Sequence, residues 1–311
     1  MSSITSSIPV VVTPNVLATS MVGNLSADQA AMAKLENQVA TGRAVNLPSD
    51  NPAQAANILQ LQAGVARANQ YSTNAQDGVS WLTLANSTVS SIMNVLQQVQ
   101  SAVQSITGDQ LSGTTSAVSG LTAVVTGAIH QLLNLGNTQY AGQAIFSGTG
   151  TPAQAYSTTG AYVGAGTPPT RTVAPGTYVP VSVTGPQIFG KSTTATGLLG
   201  PTGVLGRILG DLSSKTPTKI NAAATTELGN LQTAMTTVEA QAGTLGANQQ
   251  AMQGFANQAT ASATALQSEL GNAQDVNLAQ ALTNLQLQQT SYQAALYVTS
   301  QLKTTSLVTY L

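Results

Sequence analysis

The single histidine is the first residue to consider for chemistry. His130 lies between Ile129 and the Leu132-Leu133 pair, and the chain contains no cysteine. General acid–base catalysis and metal binding both need partner side chains at matched spacing, and one histidine without cysteine supplies no such cluster. We therefore interpret His130 as an ordinary helix residue, and we expect no metal site.

Two other kinds of residue group resemble reactive sites only superficially. Asp211 with Lys215 and Lys219 is typical of solvated charges in a loop. Gly148-Thr149-Gly150 and Gly164-Ala165-Gly166 lack the third glycine and the strand-to-helix setting of a phosphate-binding loop, so they indicate turns. No nucleophile, base and orienting group recur together. We expect no catalytic residue, no enzymatic activity and no cofactor.

The composition points to self-association. Charged residues make up 6% of the 311 residues, against about 25% in an ordinary globular domain. Nine basic and ten acidic residues give a net charge of -1, and no basic cluster is present that could bind nucleic acid or a membrane surface. A surface with so little electrostatic repulsion favours association between copies. The composition is that of a subunit.

Neither a cleaved signal nor a membrane span is predicted. The segment from Met1 to Pro14 lacks a basic region followed by an apolar one. The long charge-free region after Asp109 is interrupted every few residues by polar side chains or glycine.

Three long apolar stripes predict the helical body of the protein. Apolar residues alternate at steps of three and four over residues 58–106, 118–135 and 228–273, which is the spacing of helices that pack along one stripe. We call these stripes the seams. The first has one three-residue step from Leu82 to Ala85, and the third is interrupted by the polar Gln249. Trp81, beside Leu82, is interpreted as a core residue.

The chain ends predict two further striped helices that need a partner. Their candidate coiled-coil and assembly positions are Leu17, Met21, Leu25, Met32, Leu35 and Val39 near the start, and Leu278, Leu282, Leu285, Tyr292, Leu296 and Leu307 near the end. One stripe is expected to pair the two helices, and the remaining apolar surface is expected to pack on neighbouring subunits.

The middle of the chain has a different character. Glycine and proline punctuate residues 140–203, and the run 177–183 is rich in β-formers. The sequence therefore predicts a mainly α protein: a long helical coiled-coil rod formed by the N- and C-terminal segments, with a small β-rich inserted domain.

An elbow is predicted between the first two helices. Glycine can end a helix, one proline prevents its continuation, and asparagine before a second proline is a good helix start. The elbow residues are Gly42, Arg43, Pro48, Ser49, Asp50 and Pro52, with Asn51 as the cap.

The amino-acid sequences of several of these segments resemble those of a known family. Residues 38–43, 47–56 and 70–74 are similar to the N-terminal region of the flagellin superfamily, and within it most closely to the hook-associated protein 3 family. Residues 291–296 and 302–311 resemble the C-terminal signature of that family, and residues 144–148 resemble the segment that leaves its helical rod. The β insertion is not matched.

The resemblance implies a structural subunit of the bacterial flagellum at the hook-filament junction. It implies a terminal coiled-coil core domain (1–45 and 274–311), a helical rod domain (46–148 and 204–273) and a β-rich outer domain (149–203). The implied partners are copies of the same chain in a ring or helix, hook-associated protein 1, flagellin, and the flagellar type III export apparatus with an export chaperone. Nucleic acid and membrane are not expected as partners, and the implied location is extracellular, in the flagellum.

Two alternatives stay open. Flagellin, the filament subunit, shares most of these features. A stalk-displayed adhesin is the second alternative, because Tyr156, Tyr162 and Tyr178 are expected to be exposed on glycine- and proline-rich loops and could stack on sugars.

Overall fold

The computed structural model describes residues 14–107, 115–150, 153–191, 197–214 and 223–308, with the backbone alone at a few helix ends, including 302–308. Seven α-helices are present in these ranges, with two short β-hairpins and one π-helical turn, Ala223–Glu227. The helices are α1 (Pro14–Thr41), α2 (Pro52–Thr107), α3 (Thr115–Gly136), α4 (Gly185–Phe189), α5 (Val204–Ser213), α6 (Leu228–Gln274) and α7 (Leu278–Val308). The strands are β1 (Gln139–Tyr140), β2 (Gln143–Ala144), β3 (Thr170–Ala174) and β4 (Thr177–Pro180). The expected mainly α architecture is confirmed.

The chain divides into two compact units. One consists of Met1–Val65 with Thr264–Leu311, and the other of Ala66–Ala263. The first unit holds α1, α7 and the adjoining ends of α2 and α6. The second holds the rest of α2 and α6 together with the segment between them. The three-part division implied by the family resemblance stays a prediction.

The three seams form the core of the second unit. Val89, Ile92 and Leu96 of α2, Val125 and Leu132 of α3, and Leu231, Val238 and Leu245 of α6 are almost fully buried in one apolar cluster. Burying such side chains stabilises the fold by about 1.5–3 kcal/mol each. The seams were readable because the step of three and four residues is kept almost without a break.

The polar interruption of the third seam is paired across the helices. The Gln249 side-chain oxygen accepts a hydrogen bond from Asn86 (2.6 Å), and its amide nitrogen donates to Thr83 Oγ1 (3.0 Å). These partners lie beside the three-residue step at Leu82–Ala85, so the irregularities of the first and third seams occur at the same level. A second polar contact joins Ser72 Oγ and Thr260 Oγ1 at 3.1 Å. Because a misplaced polar group would lose its partner, these contacts favour one register of α2 against α6.

Trp81 is a core residue, as predicted. Its side chain is 3% exposed, and its ring lies 5.1 Å from that of Tyr140. The Arg171 guanidinium lies over the Trp81 ring, 5.2 Å from its centre. Arg171 also forms an ion pair with Asp77 (Nε to Oδ2, 2.7 Å). Asp77 also accepts a hydrogen bond from the Tyr140 hydroxyl (3.1 Å), so this carboxylate attaches both hairpins to α2.

The inserted segment contains little regular strand. Strands β3 and β4 pair antiparallel, with Thr172 opposite Tyr178. The expected strand over 177–183 stops at Pro180, although the Val181 amide still donates to the Pro169 carbonyl (2.8 Å).

The expectation of three exposed tyrosines is wrong for Tyr156. Its side chain is 1% exposed and packs against Tyr162 and Phe189, with ring centres 5.4 and 5.1 Å away. Burial raises the pKa of the Tyr156 hydroxyl far above its ordinary value. Tyr162 is half-buried, and only Tyr178 is exposed. The structure thus removes the shared tyrosine surface on which the adhesin alternative depended.

The prediction that no segment is apolar enough to span a membrane is wrong for helix α3. Residues Ser116–Gly136 are long and apolar enough to cross a bilayer by length and composition alone, with a mean hydropathy of 1.3. The polar interruptions lower the hydropathy less than we expected. One side of α3, including Val125 and Leu132, is buried in the core of the second unit, and His130 lies exposed on the helix.

Candidate assembly surface

Helices α1 and α7 pack side by side in the first unit. The Gln29 amide donates to the Tyr292 hydroxyl (2.8 Å), and the Gln288 amide donates to Asp28 Oδ1 (2.9 Å). Both contacts join residues that are far apart in sequence and fix the position of one helix along the other. The pairing of the first and last helices is therefore a feature of the fold.

The α1 face of this pair agrees with the expected stripe. The half-buried apolar side chains are Met21, Leu25, Met32, Leu35 and Val39. Leu17, at the outer end of the stripe, is exposed. A regular stripe of this kind could be found in the sequence because most of the large apolar residues of α1 recur at steps of three, four and seven.

The α7 face differs from the expected stripe. Leu285 and Tyr292 are half-buried, but Leu278, Leu282 and Leu296 are exposed, with 49% of Leu282 open to solvent. The other positions turned away from solvent carry small or polar side chains: Ala281, Gln288, Ala295 and Thr299. The side chain of Leu307 lies outside the described residues. Sequence reasoning missed the small inward residues because larger apolar ones stand next to them.

Helix α7 therefore carries much of its apolar surface outside the helix pair. Besides the three exposed leucines of the stripe, the exposed large apolar residues are Leu287, Tyr297 and Val298. Val16 and Val22 add to this surface from α1. We call these eight residues, together with Leu17, the outer apolar surface. Exposed large apolar side chains in this number on one helix pair favour an interaction site.

Backbone hydrogen bonds join the elbow to the segment between α6 and α7. Gly42 has φ +69°, a conformation that favours glycine, and ends α1. Its carbonyl accepts from the Val276 amide (2.9 Å), while the Ala44 amide donates to the Gln274 carbonyl (2.8 Å). Arg43 thus lies opposite Asp275 in an antiparallel bridge. The connector before α7 was missed in the sequence, although Asn277 could have signalled it, since its side-chain oxygen accepts from the Gln280 amide (3.2 Å) at the start of α7.

Asp50 closes the turn of the elbow. Its Oδ2 accepts hydrogen bonds from the amides of Leu47 (3.0 Å) and Asn46 (3.3 Å), and Oδ1 lies 3.5 Å from Lys34 Nζ. The bond from Leu47 is the main cause that lowers the pKa of Asp50 below its ordinary value of 3.8, and Asn46 and Lys34 add to it.

The start of α2 completes the elbow. Asn51 caps the helix by accepting from the Gln54 amide (3.1 Å), and Pro52 is the first helical residue, as the sequence predicted. Pro48 and Ser49 are exposed at the tip of the turn. The Gln54 side chain donates to the Ala273 carbonyl (2.7 Å), so the start of α2 is also held to the end of α6.

Two family models describe most of this chain. The bacterial flagellin N-terminal helical region matches residues 12–151, and the bacterial flagellin C-terminal helical region matches residues 228–311. The chain belongs to the bacterial flagellin family. Helices α1, α2 and α3 fall in the first match, and α6 and α7 in the second, so the seams and the outer apolar surface lie in the parts shared with other flagellin-family proteins.

Similar proteins within the flagellin family include hook-associated proteins. Flagellar hook-associated protein 3 of Salmonella typhimurium is 29% identical over 175 residues, which cover 56% of this chain and 55% of that protein. The chain thus spans about half the length of the curated relative that it matches.

Solved structures with the same fold include proteins from Vibrio parahaemolyticus and Bacillus cereus. A flagellar hook-associated protein from Vibrio parahaemolyticus superposes with a TM-score of 0.62 at 20% identity, covering 73% of this chain and all (100%) of that one. FlgL from Bacillus cereus gives a TM-score of 0.50 at 14% identity, covering 68% and 99% of the two chains. At these identities the likeness concerns the fold alone.

Among the residues that the structure describes, no group of three His, Asp or Glu side chains lies close enough to hold a metal ion. Lys215 and Lys219, the expected loop charges near Asp211, lie outside the described residues.

Proposed function

We propose that this protein is a structural subunit of the bacterial flagellum and that it forms the hook-filament junction. The observation that carries the proposal is the outer apolar surface of α1 and α7. A family of structural flagellar proteins, a nearly uncharged composition and an exposed apolar helix pair together favour assembly over any catalytic role.

Assembly would proceed through the terminal helices. The face that α7 presents to α1 carries mostly small or polar side chains, so the helix pair by itself buries little apolar surface. Helices of this kind draw most of their stability from packing. A neighbouring subunit that covers Leu278, Leu282 and Leu296 would supply the missing contacts and stabilise the pair by mass action.

The junction is favoured over the filament by the relatives. The curated relative is named as a hook-associated protein, and Pro48 and Pro52 of the elbow resemble the corresponding segment of the junction protein. Flagellin remains the second candidate, because the matching family models are those of flagellin itself.

The partners and the location follow from the same proposal. Copies of this chain would form a ring or a short helical layer between hook-associated protein 1 and flagellin. The subunit would reach the outside of the cell through the flagellar type III export apparatus, kept unassembled by an export chaperone.

Immunogold electron microscopy of intact flagella tests the proposal. An antibody against residues 149–204 should label one band where the hook meets the filament. Labelling along the whole filament would instead identify a flagellin. Flagella that carry no label, while the antibody still detects the chain in the cells, would contradict a flagellar role.

A further inference from the structure

We propose that helix α7 carries two separate apolar flanks and that each flank contacts a different neighbouring copy of this chain. This inference rests on the proposed function, because it assigns partners to the surface through which the protein assembles. It goes further by dividing that surface into two unlike parts, so that the copies join head to tail.

One regular stripe of α7 faces α1 and divides the two flanks. Its residues recur at alternating steps of four and three and are buried or half-buried: Ala281, Leu285, Gln288, Tyr292, Ala295 and Thr299. Gln288 and Tyr292 also share hydrogen bonds with α1. Each residue of a helix is turned by about 100° from the one before it. Residues that directly follow a member of this stripe therefore lie on one side of it, and residues that directly precede a member lie on the other.

The side that follows the stripe carries exposed leucines. Leu282 and Leu296 directly follow Ala281 and Ala295, and Leu278 lies one turn before Leu282. Between 43% and 50% of each of these three leucines is open to solvent. We call them the leucine flank.

The side that precedes the stripe carries a different set of residues. Its exposed members recur at steps of four, three and four, and each directly precedes a residue of the stripe: Leu287, Ser291, Ala294 and Val298. We call these four residues the mixed flank. Two small side chains lie between two larger ones, so a leucine of a partner can pack between Leu287 and Val298.

The absence of charge points to another copy of this chain as the partner. No charged residue occurs in residues 278–301 of α7 or in residues 14–27 of α1. A charged group placed against such a surface would lose its water without gaining an opposite charge. A second copy of the uncharged helix pair avoids this cost, and membership of a family of structural flagellar proteins favours it.

The positions of the flanks require two neighbours. One neighbouring helix cannot cover both flanks, because they lie on opposite sides of the stripe that faces α1. Packing the leucine flank of one copy on the mixed flank of the next uses both flanks in every copy. A contact between unlike surfaces produces a ring or a helical row, whereas a flank that packs on itself produces a closed dimer.

Cysteine cross-linking tests the proposal without background, because the chain contains no cysteine. Leu282→Cys/Ala294→Cys and Leu282→Cys/Val298→Cys each place one thiol on each flank. The two thiols of one chain are about 18 Å or more apart along the helix, beyond the reach of a short bis-maleimide. This reagent would be added to purified flagella and to concentrated purified protein. At least one of the two pairs should lose most of its monomer band and give a ladder of dimers, trimers and larger species.

Single variants and a matched pair are the controls. Leu282→Cys alone and Ala294→Cys alone should stay monomeric, because neither flank meets itself. Thr283→Cys/Thr290→Cys, at exposed positions on the side of α7 opposite α1, should also stay monomeric.

Three results would overturn the proposal: dimers from either single variant, a ladder from the control pair, or monomers alone from both cross-flank pairs in both preparations. Absence of the parent protein from flagella would instead contradict the proposed function, and cross-linking of the concentrated protein would still decide between one contact and two.

Discussion

Single residues decide which parts of the terminal helices face their partner and which remain available for assembly. Leu282 and Leu285 are three positions apart on α7, yet the first is exposed and the second half-buried beside α1. The elbow shows the same dependence on single residues, because Gly42 supplies a positive φ and Asp50 accepts two backbone amides.

A pH dependence follows from the lowered pKa of Asp50. A carboxylate whose pKa is lower in the folded state stabilises the fold fully above the unfolded pKa near 3.8, and this contribution is lost as the pH falls through the folded value. Asp50→Asn should therefore unfold at a lower temperature than the parent at pH 6, and the two melting temperatures should converge as the pH falls below 3.8 and through the folded pKa. Thermal unfolding by circular dichroism at several pH values checks this. A difference that stays constant over the whole pH range would show that Asp50 contributes no charge-dependent stability.

Residue types explain why the candidate site could be predicted only in part. The α1 stripe was found because most of its large apolar residues recur at steps of three, four and seven. On α7 the leucines stand on several sides, so the step of three and four residues selected Leu278, Leu282 and Leu296 together with Leu285 and Tyr292. Tertiary packing against α1 separates them, and no local pattern carries that information. Tyr156 was misjudged for a related reason, since glycine-rich surroundings suggested an exposed loop.

At the scale of elements, the seams determine the core, and polar contacts fix how the helices align. The three long helices were predictable because an almost unbroken seam of this length has few alternative interpretations. The pairing of Gln249 with Asn86 and Thr83 was not predictable, because the sequence gives no information on which residues of α2 stand opposite α6.

A double-mutant cycle measures the polar contact between α2 and α6. Gln249→Leu alone should destabilise the protein by about 1 kcal/mol, because it leaves the Asn86 amide without its partner. Asn86→Leu with Gln249→Leu should recover part of this loss, with a coupling free energy of about 0.5–1.5 kcal/mol. Chemical denaturation of the four proteins gives the cycle, and Gln250→Ala, an exposed position on α6, is the control. Strictly additive effects would mean that this contact does not help to align the helices.

At the scale of the whole molecule, the two units differ in how well they can be stable alone. The second unit encloses a large apolar cluster. The α1–α7 pair of the first unit has mostly half-buried inner positions and an exposed apolar exterior. Folding of the terminal helices should therefore depend on assembly.

Hydrogen exchange can detect that dependence. In the monomer, the amides of α1 and α7 should exchange much faster than those of residues 75–103 in α2, because few apolar contacts protect them. In assembled flagella the protection of α1 and α7 should rise strongly, whereas residues 75–103 should change little. Equal protection of α1 and α7 in the two states would argue against coupling between folding and assembly.

The most direct test of the assembly surface compares exposed and half-buried leucines of α7. Three variants would be produced in place of the parent: the triple variant Leu278→Ala/Leu282→Ala/Leu296→Ala, the single variant Leu285→Ala, and the control Gln286→Ala/Gln293→Ala. For each, the amount of this protein in purified flagella and the melting temperature of the monomer would be measured. We expect the triple variant to melt like the parent and to be almost absent from flagella, whereas Leu285→Ala should lose about 1–2 kcal/mol of monomer stability and the control should behave like the parent. Normal incorporation of the triple variant would contradict the claim that the outer apolar surface drives assembly.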